Sequence, residues 1–252
     1  MNLRTTTEFT RAWVSQALGF FYPDACQICG ENRATREEGY VCSGCWAQPD
    51  GVRFIQPPFC DTCGLPYEGD ISHEFECSNC RDMELHFKHA RAAVVARGLV
   101  LDVIHRYKYQ RALWFEPFLA DLLIRGAKPD LAAAKADLII PIPLHSLKRK
   151  EREFNQADRL AKALGAATDL PVNKNIVKRV LPTQTQTLLT RKQRARNMRN
   201  AFAVTKSEPV KGRRVVLVDD VLTTGATTSA CARALRKAGA REIIVWTVAR
   251  GV

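Results

Sequence analysis

The stretch from Val215 to Thr227 reads VVLVDDVLTTGAT. It places two adjacent carboxylates, Asp219 and Asp220, just ahead of the small polar run Thr223, Thr224, Gly225, Ala226 and Thr227. The four apolar residues before the acids are expected to form a buried parallel strand, and open α/β sheets bind ligands at the carboxyl ends of such strands. A helical pattern, ATTSACARALRKAG, follows directly. Its first backbone amides, together with the threonine hydroxyls, form a cup for a phosphate. Gly225 lets the main chain come close to that anion. Carboxylates beside such a cup need hydroxyls or a divalent cation as partners. A ribose 5-phosphate meets both needs, with its 2′ and 3′ hydroxyls on the acids and its phosphate in the cup.

A second constellation is made of sulfur. Eight of the nine cysteines fall in CxxC pairs, Cys26/Cys29, Cys42/Cys45, Cys60/Cys63 and Cys77/Cys80, separated by 12, 14 and 13 residues. A CxxC turn sets two thiolates on one side of a metal, and a second such knuckle completes a tetrahedral set. Eight ligands at even spacing fit two structural Zn²⁺ sites, each closed by protein. Gly30 and Gly64, directly after a pair, suit the tight knuckle. Sequential pairing is favoured, with the first two pairs on one zinc and the last two on the other; a crossed arrangement stays open. His73, His86 and His89 lie nearby, but four complete pairs leave them no vacancy. The opening residues MNLRTTTEFTRAW do not read as a secretory signal. The chain is therefore expected in the reducing cytoplasm, where thiolates hold metal rather than disulfides.

These residues need elements to position them. Phe9, Trp13, Ala17, Phe20 and Phe21 recur at helical spacing before Pro23, which predicts an N-terminal helix within residues 1–25. Residues 26–89, rich in Gly, Pro and polar side chains, are expected to fold around metal as a double zinc ribbon. From 90 to 252, apolar strand-like runs at 92–96, 138–143, 215–218 and 243–248 alternate with helical patterns at 99–110, 113–125, 155–166 and 226–238. That alternation predicts an α/β domain with a mostly parallel sheet flanked by helices. Cys231, alone on the last helical pattern, reads as a small buried core residue.

Composition narrows the partners. The 252 residues are 46% hydrophobic and 25% charged, a globular balance, and no apolar run approaches the ~20 residues of a membrane span. The formal net charge of +12 calls for an anionic partner. It is concentrated between Lys148 and Arg214, where 18 basic residues face 5 acidic ones.

The 215–227 string resembles the motif by which type I phosphoribosyltransferases bind 5-phosphoribosyl 1-pyrophosphate (PRPP). Together with the CxxC pairs it is similar to the ComF/GntX family, which joins a double zinc ribbon to a phosphoribosyltransferase-like domain. Further matching pieces are Tyr107-Lys108-Tyr109, Pro141-Ile142-Pro143-Leu144, Phe154-Asn155-Gln156, and Thr183, Gln186, Leu189, Arg194, Asn197 and Phe202. One departure stands out: the family's Arg-Gly-Phe-Asn-Gln is here Arg152-Glu153-Phe154-Asn155-Gln156.

The resemblance implies that Asp219 and Asp220 contact the ribose hydroxyls of PRPP, that Thr223–Thr227 hold its 5-phosphate, and that Mg²⁺ rides on the ligand. Lys108 would bring positive charge to the diphosphate, Pro141–Arg149 would form the pyrophosphate loop, and the basic run 179–199 a lid. The activity implied is phosphoribosyl transfer to an unidentified acceptor, linked to DNA uptake and natural competence. The alternative is a non-catalytic module that binds single-stranded DNA or cytoplasmic uptake proteins and is regulated by PRPP or a nucleotide.

Overall fold

The structure is a computed structural model that describes residues 24–67, 69, 77–81, 83–145, 153–180 and 200–252. The expected N-terminal helix, residues 146–149 of the candidate pyrophosphate loop and residues 181–199 of the candidate lid lie outside the described residues.

Along the chain come helix α1 (Ser43–Ala47), strand β1 (His89–Val95), α2 (Gly98–Tyr109), α3 (Glu116–Ala134), β2 (Leu138–Pro141), α4 (Gln156–Thr168), β3 (Val177–Arg179), β4 (Phe202–Val204), β5 (Arg214–Leu222), α5 (Ala226–Lys237) and β6 (Glu242–Arg250). Four strands make one sheet in the order β1-β6-β5-β2, and every pairing in it is parallel. The strands carry apolar runs because both faces of the sheet are covered.

Side chains alternate across a strand, and the two faces pack against different helices. Val216 and Val218 of β5, with Ile244, Trp246 and Val248 of β6, join a core built from α2, α3 and α4. Val215, Leu217, Ile243 and Val245 face α5 and the antiparallel β3–β4 hairpin. This register decides where every polar residue further along β5 must point.

All four long helical patterns and all four long strands are present. Strand β5 continues past its apolar run to Leu222, so the two acids sit inside it. They lie beyond the end of β2, whose ladder stops at Pro141 opposite Val218. The pattern read as 113–125 opens as a 3₁₀ turn at Leu113–Phe115 and then runs as α3 to Ala134. Gly126 and Pro129 in that helix look like stops. Instead, Gly126 presses the helix onto the sheet, where a Cβ would meet that of Ala93 at 2.8 Å, and buried Ala127 and Leu131 carry the helix on. Pro129 removes one internal hydrogen bond, and burial of its neighbours outweighs that loss.

The two cysteine tetrads are buried differently: Cys60, Cys63 and Cys77 form a small cluster of their own with Leu65, Tyr67 and Leu85, whereas the first tetrad joins the main core. Cys26, Cys42 and Cys45 are buried with the residues of α2 and α3. The segment around Phe54 lies along β1: Ile55 donates to the Ala93 carbonyl and Val95 to that of Arg53. At the opposite margin Val172 bridges Ile139, with Ile139 donating to Pro171 and Asn173 to Ile139.

Candidate functional site

The twin acids are not equivalent. The alternation that sends Val216 and Val218 toward α2 sends Asp220 there too, and its carboxylate accepts from the ammonium of Lys108, in the last turn of α2, at 2.8 Å. Asp220 is buried, and the Lys108 side chain is 17% exposed. Asp219 points to the other face, the side of Arg179 and Cys231. Its carboxylate also accepts from the backbone amide of Asp220 at 2.9 Å. Burial and the nearby Asp220 carboxylate push Asp219 up to about 7, while Lys108 and Arg179 pull it down. The expectation that both acids face one pocket is thus divided. Asp219 lines the cleft formed with the polar loop, whereas Asp220 holds the lysine at the sheet's upper edge.

That cleft is a cavity of about 60 Å³ lined by Asp219, Val221, Leu222 and the run Thr223 through Thr228. Gly225 takes φ +82°, a left-handed conformation that costs a glycine nothing, and acts as N-cap of α5. The amide of Ala226 reaches the Thr224 hydroxyl at 3.4 Å, and the Thr228 hydroxyl donates to the Gly225 carbonyl at 2.9 Å. Helix geometry leaves the remaining first-turn amides without intrahelical acceptors. They open beside Asp219, so one small cleft holds both hydrogen-bond donors for an anion and a carboxylate for hydroxyls.

On the neighbouring strand, Ile142 donates to the Val218 carbonyl, the last bond of the β2–β5 ladder. Asn155 caps α4 by accepting from Ala157 and donates to the Ile142 carbonyl and to Asp158. Phe154 packs edge-on against buried Tyr107 at 5.3 Å. These bonds explain why Phe-Asn-Gln stands there: it anchors the chain that returns from the loop after β2. Glu153, where the family resemblance implies glycine, adopts φ +65° and pairs with Arg111 at 2.9 Å. The backbone keeps the glycine geometry without the glycine.

The cysteines gather as two sequential tetrads, Cys26/Cys29/Cys42/Cys45 and Cys60/Cys63/Cys77/Cys80. Thiolate donors about 2.3 Å from a tetrahedral zinc lie about 3.8 Å from one another. The sulfur pairs Cys26–Cys45, Cys29–Cys42, Cys60–Cys80 and Cys63–Cys77 are 3.8, 3.9, 3.8 and 3.7 Å apart. Those separations fit tetrathiolate zinc and are far too long for disulfides. The amides of Cys42 and Cys45 point at the sulfurs of Cys26 and Cys42. Neither His86 nor His89 joins a tetrad. Cys231 is fully buried, and burial pushes its thiol up.

Three further residues matter at this end of the sheet, of which the sequence points only to Arg179, as the first residue of the candidate lid. Arg179, at the end of β3, is near enough for its charge to pull the Asp219 carboxyl down. Arg250, at the end of β6, is 1% exposed; it donates to the carbonyls of Cys63, Leu222, Thr223 and Gly251 and touches the Cys63 sulfur at 3.6 Å. Asn79, between Cys77 and Cys80, donates to the Thr224 carbonyl at 3.3 Å. The run IIVWTVAR carries the signal for Arg250: a charged residue closing a buried strand beside the acids.

A parallel sheet ending in this acid-and-loop cleft, with two cysteine tetrads packed against it, defines a phosphoribosyltransferase-like domain joined to a double zinc ribbon. Family models agree, a double zinc ribbon domain matching residues 17–82 and a phosphoribosyl transferase domain matching residues 155–251. The chain belongs to the ComF family of competence protein F. Competence protein F of Haemophilus influenzae is 37% identical over 239 residues, covering 91% of this chain and 98% of that one. DNA utilization protein YhgH of Escherichia coli K12 is 29% identical, covering 90% and 97%. Competence protein ComFC of Bacillus subtilis is 28% identical, covering 79% of each.

Proposed function

We propose that the chain binds PRPP or a related ribose 5-phosphate at the end of β5 and transfers the phosphoribosyl group to an acceptor in the handling of incoming DNA. Asp219 would take the ribose hydroxyls, the Asp220–Lys108 pair would bring a cation from the other face of β5, and the Thr223–Thr227 loop would hold the 5-phosphate. The observation that carries this reading is the shared cleft: a carboxylate and a row of helix-start amides within one cavity sized for a few atoms.

Transfer requires the diphosphate to leave from C1 while an acceptor attacks a centre that gains positive charge. Mg²⁺ bound with the ligand would offset the leaving charge. This chain's share is to hold the sugar in place, to set Lys108 near the departing group, and to lend the Asp219 carboxylate to the electron-poor ring. The eight tetrad cysteines would hold two structural zinc ions. The relatives' names carry the proposal to DNA uptake or use, on the cytoplasmic side. No described helix is long and apolar enough to cross a membrane.

Titration of the zinc-loaded protein with PRPP and Mg²⁺, followed by an acceptor screen for pyrophosphate release, tests the reading. Binding in the micromolar range that Asp219→Asn with Asp220→Asn abolishes, with the fold intact, is the expected result. Equal binding by that variant overturns it.

One observation favours the alternative, a non-catalytic single-stranded-DNA or protein-binding module regulated by PRPP or a nucleotide. Exposed Lys206, Lys211, Arg213, Arg236, Lys237 and Arg241 lie where α5 ends and β5 begins, at the opposite end of the strands from the acids. Such a face would track a nucleic-acid backbone. Its affinity for single-stranded DNA should then fall steeply with salt, with no pyrophosphate released.

A further inference from the structure

The cleft's loop does not hold its shape alone. Its three successive carbonyls, those of Leu222, Thr223 and Thr224, are all taken, the first by the Gly251 amide at the end of β6 as well as by Arg250. Arg250 Nη1 reaches the first two at 3.0 and 2.6 Å, and Asn79 Nδ2 the third at 3.3 Å. In a trans peptide the carbonyl of one residue and the amide of the next point in opposite directions. Holding these carbonyls on the side of Arg250 and Asn79 therefore turns the amides of Thr223, Thr224 and Gly225 away from those two donors. Successive amides turned to one side form an anion-binding concavity.

Both donors are rooted in the second cysteine tetrad. Asn79 lies inside the Cys77–Cys80 knuckle. The other end of the Arg250 fork holds Cys63, with Nε on its carbonyl at 3.1 Å and Nη2 on its sulfur at 3.6 Å. Among the described residues no carboxylate pairs with this buried guanidinium, and an uncompensated buried charge is costly. Four thiolates around a divalent zinc carry a net charge of −2, and Arg250 sits against that charge. A second seam runs alongside: the Ser229 hydroxyl of α5 donates to the Glu84 carbonyl and accepts from the His86 amide. Among the described residues the first tetrad has no such connection; it is buried with α2 and α3.

We propose that Arg250, with Asn79, is a positioning residue that couples metal in the second tetrad to the phosphate-binding loop. Sugar-phosphate affinity then depends on that tetrad and not on the first. The coupling is reciprocal: a bound sugar phosphate tightens metal in the second tetrad by the same factor. This rests on the ribose 5-phosphate reading of the cleft and adds a control to it.

The test uses the full chain with ¹¹³Cd in place of zinc, which gives one resonance per tetrad, and ribose 5-phosphate as the probe. Wild-type protein should bind the probe with a shift in one cadmium resonance only. Arg250→Lys, which keeps the charge but not the fork, should displace that same resonance and raise the ribose 5-phosphate dissociation constant by about tenfold or more. Asn79→Ala, a milder change, should raise it by about threefold. In wild-type protein the probe should also slow chelator removal of one metal equivalent out of two. A phosphate loop that merely needs a folded neighbour would not single out one resonance.

Arg250→Lys and Asn79→Ala binding the probe as tightly as wild type would overturn the coupling while leaving the sugar-phosphate site standing. Equal shifts in both cadmium resonances, or in neither, would do the same. Failure of wild-type protein to bind the probe at all overturns the site itself, and the coupling falls with it. Should Arg250→Lys not fold, the wild-type resonances and the Asn79→Ala affinity decide the matter.

Discussion

The Lys108 ammonium stands 2.8 Å from the Asp220 carboxylate, joining the last turn of α2 to the strand that carries the acid pair. Both side chains are largely withdrawn from water. The pair brings a cation to the acidic end of the sheet, and it spares Asp220 from being a lone buried charge.

Removing one partner should therefore cost much more than removing both. Lys108→Met is expected to lower unfolding free energy by about 3 kcal/mol, and Lys108→Met with Asp220→Asn to recover most of that loss. Urea unfolding of the two variants and wild type measures the difference. A double variant no more stable than Lys108→Met would show that the pair is not what holds these residues.

Asp219 gives a pH signature. Its folded carboxyl is raised to about 7 from an ordinary 3.8, first by burial and then by Asp220. The folded chain thus keeps a proton that the unfolded chain has shed, so this residue's contribution to stability is fully present below 3.8 and is lost as pH rises to about 7. Hydroxyl recognition needs the ionised form, so ribose 5-phosphate affinity should rise through the same range and level off above it. Asp219→Asn should remove the stability slope and the part of the affinity slope that the ligand's own phosphate does not supply. Thermal unfolding and calorimetric titration from pH 5 to pH 8.5 check both.

Glu153 tests whether the missing glycine is a cost. A non-glycine residue in the left-handed region is strained by about 1–2 kcal/mol. Unfolded-chain freedom and loss of the exposed Arg111 pair offset part of that. Glu153→Gly is expected to stabilise the chain by about 0.5 kcal/mol, read as a higher urea midpoint at unchanged slope. A fall in the midpoint would mean that the Arg111 contact outweighs the strain.

Metal removal should act on the whole chain. Two equivalents of zinc per chain are expected, and structural sites of this kind contribute about 10–16 kcal/mol each in peptides. Because Cys26, Cys42 and Cys45 share a core with α2 and α3, chelation should broaden or abolish the cooperative melt of the α/β domain, not merely loosen a tail. Differential scanning calorimetry before and after dialysis against a strong chelator reads this directly.

The sequence was most legible where one period dominates. The runs of Val, Leu and Ile gave the four long strands, and the CxxC spacing gave the sulfur sets that close at 3.7 to 3.9 Å. Alternation within VVLVDDVL already implied that Asp219 and Asp220 part company. A view of the acids as a matched pair hides this, since adjacency in sequence means opposite faces in a strand. The β3–β4 hairpin escaped notice because three residues per strand carry no period to read. The extent of α3 escaped because Gly126 and Pro129 signal a stop that only close packing on Ala93 overrides. Arg250 and Asn79 meet the loop across 27 and 145 positions of chain, distances over which no local pattern speaks.

Neither outer strand of the parallel sheet offers a bare backbone. The segment around Phe54 occupies the margin at β1, and Val172 with its neighbours occupies the one at β2. An exposed strand is a template on which further strands assemble, and here both templates are already filled by the chain itself. Among the described residues, an extended peptide finds no free edge on this four-stranded sheet, and growth into fibrils is blocked at the long strands that would start it.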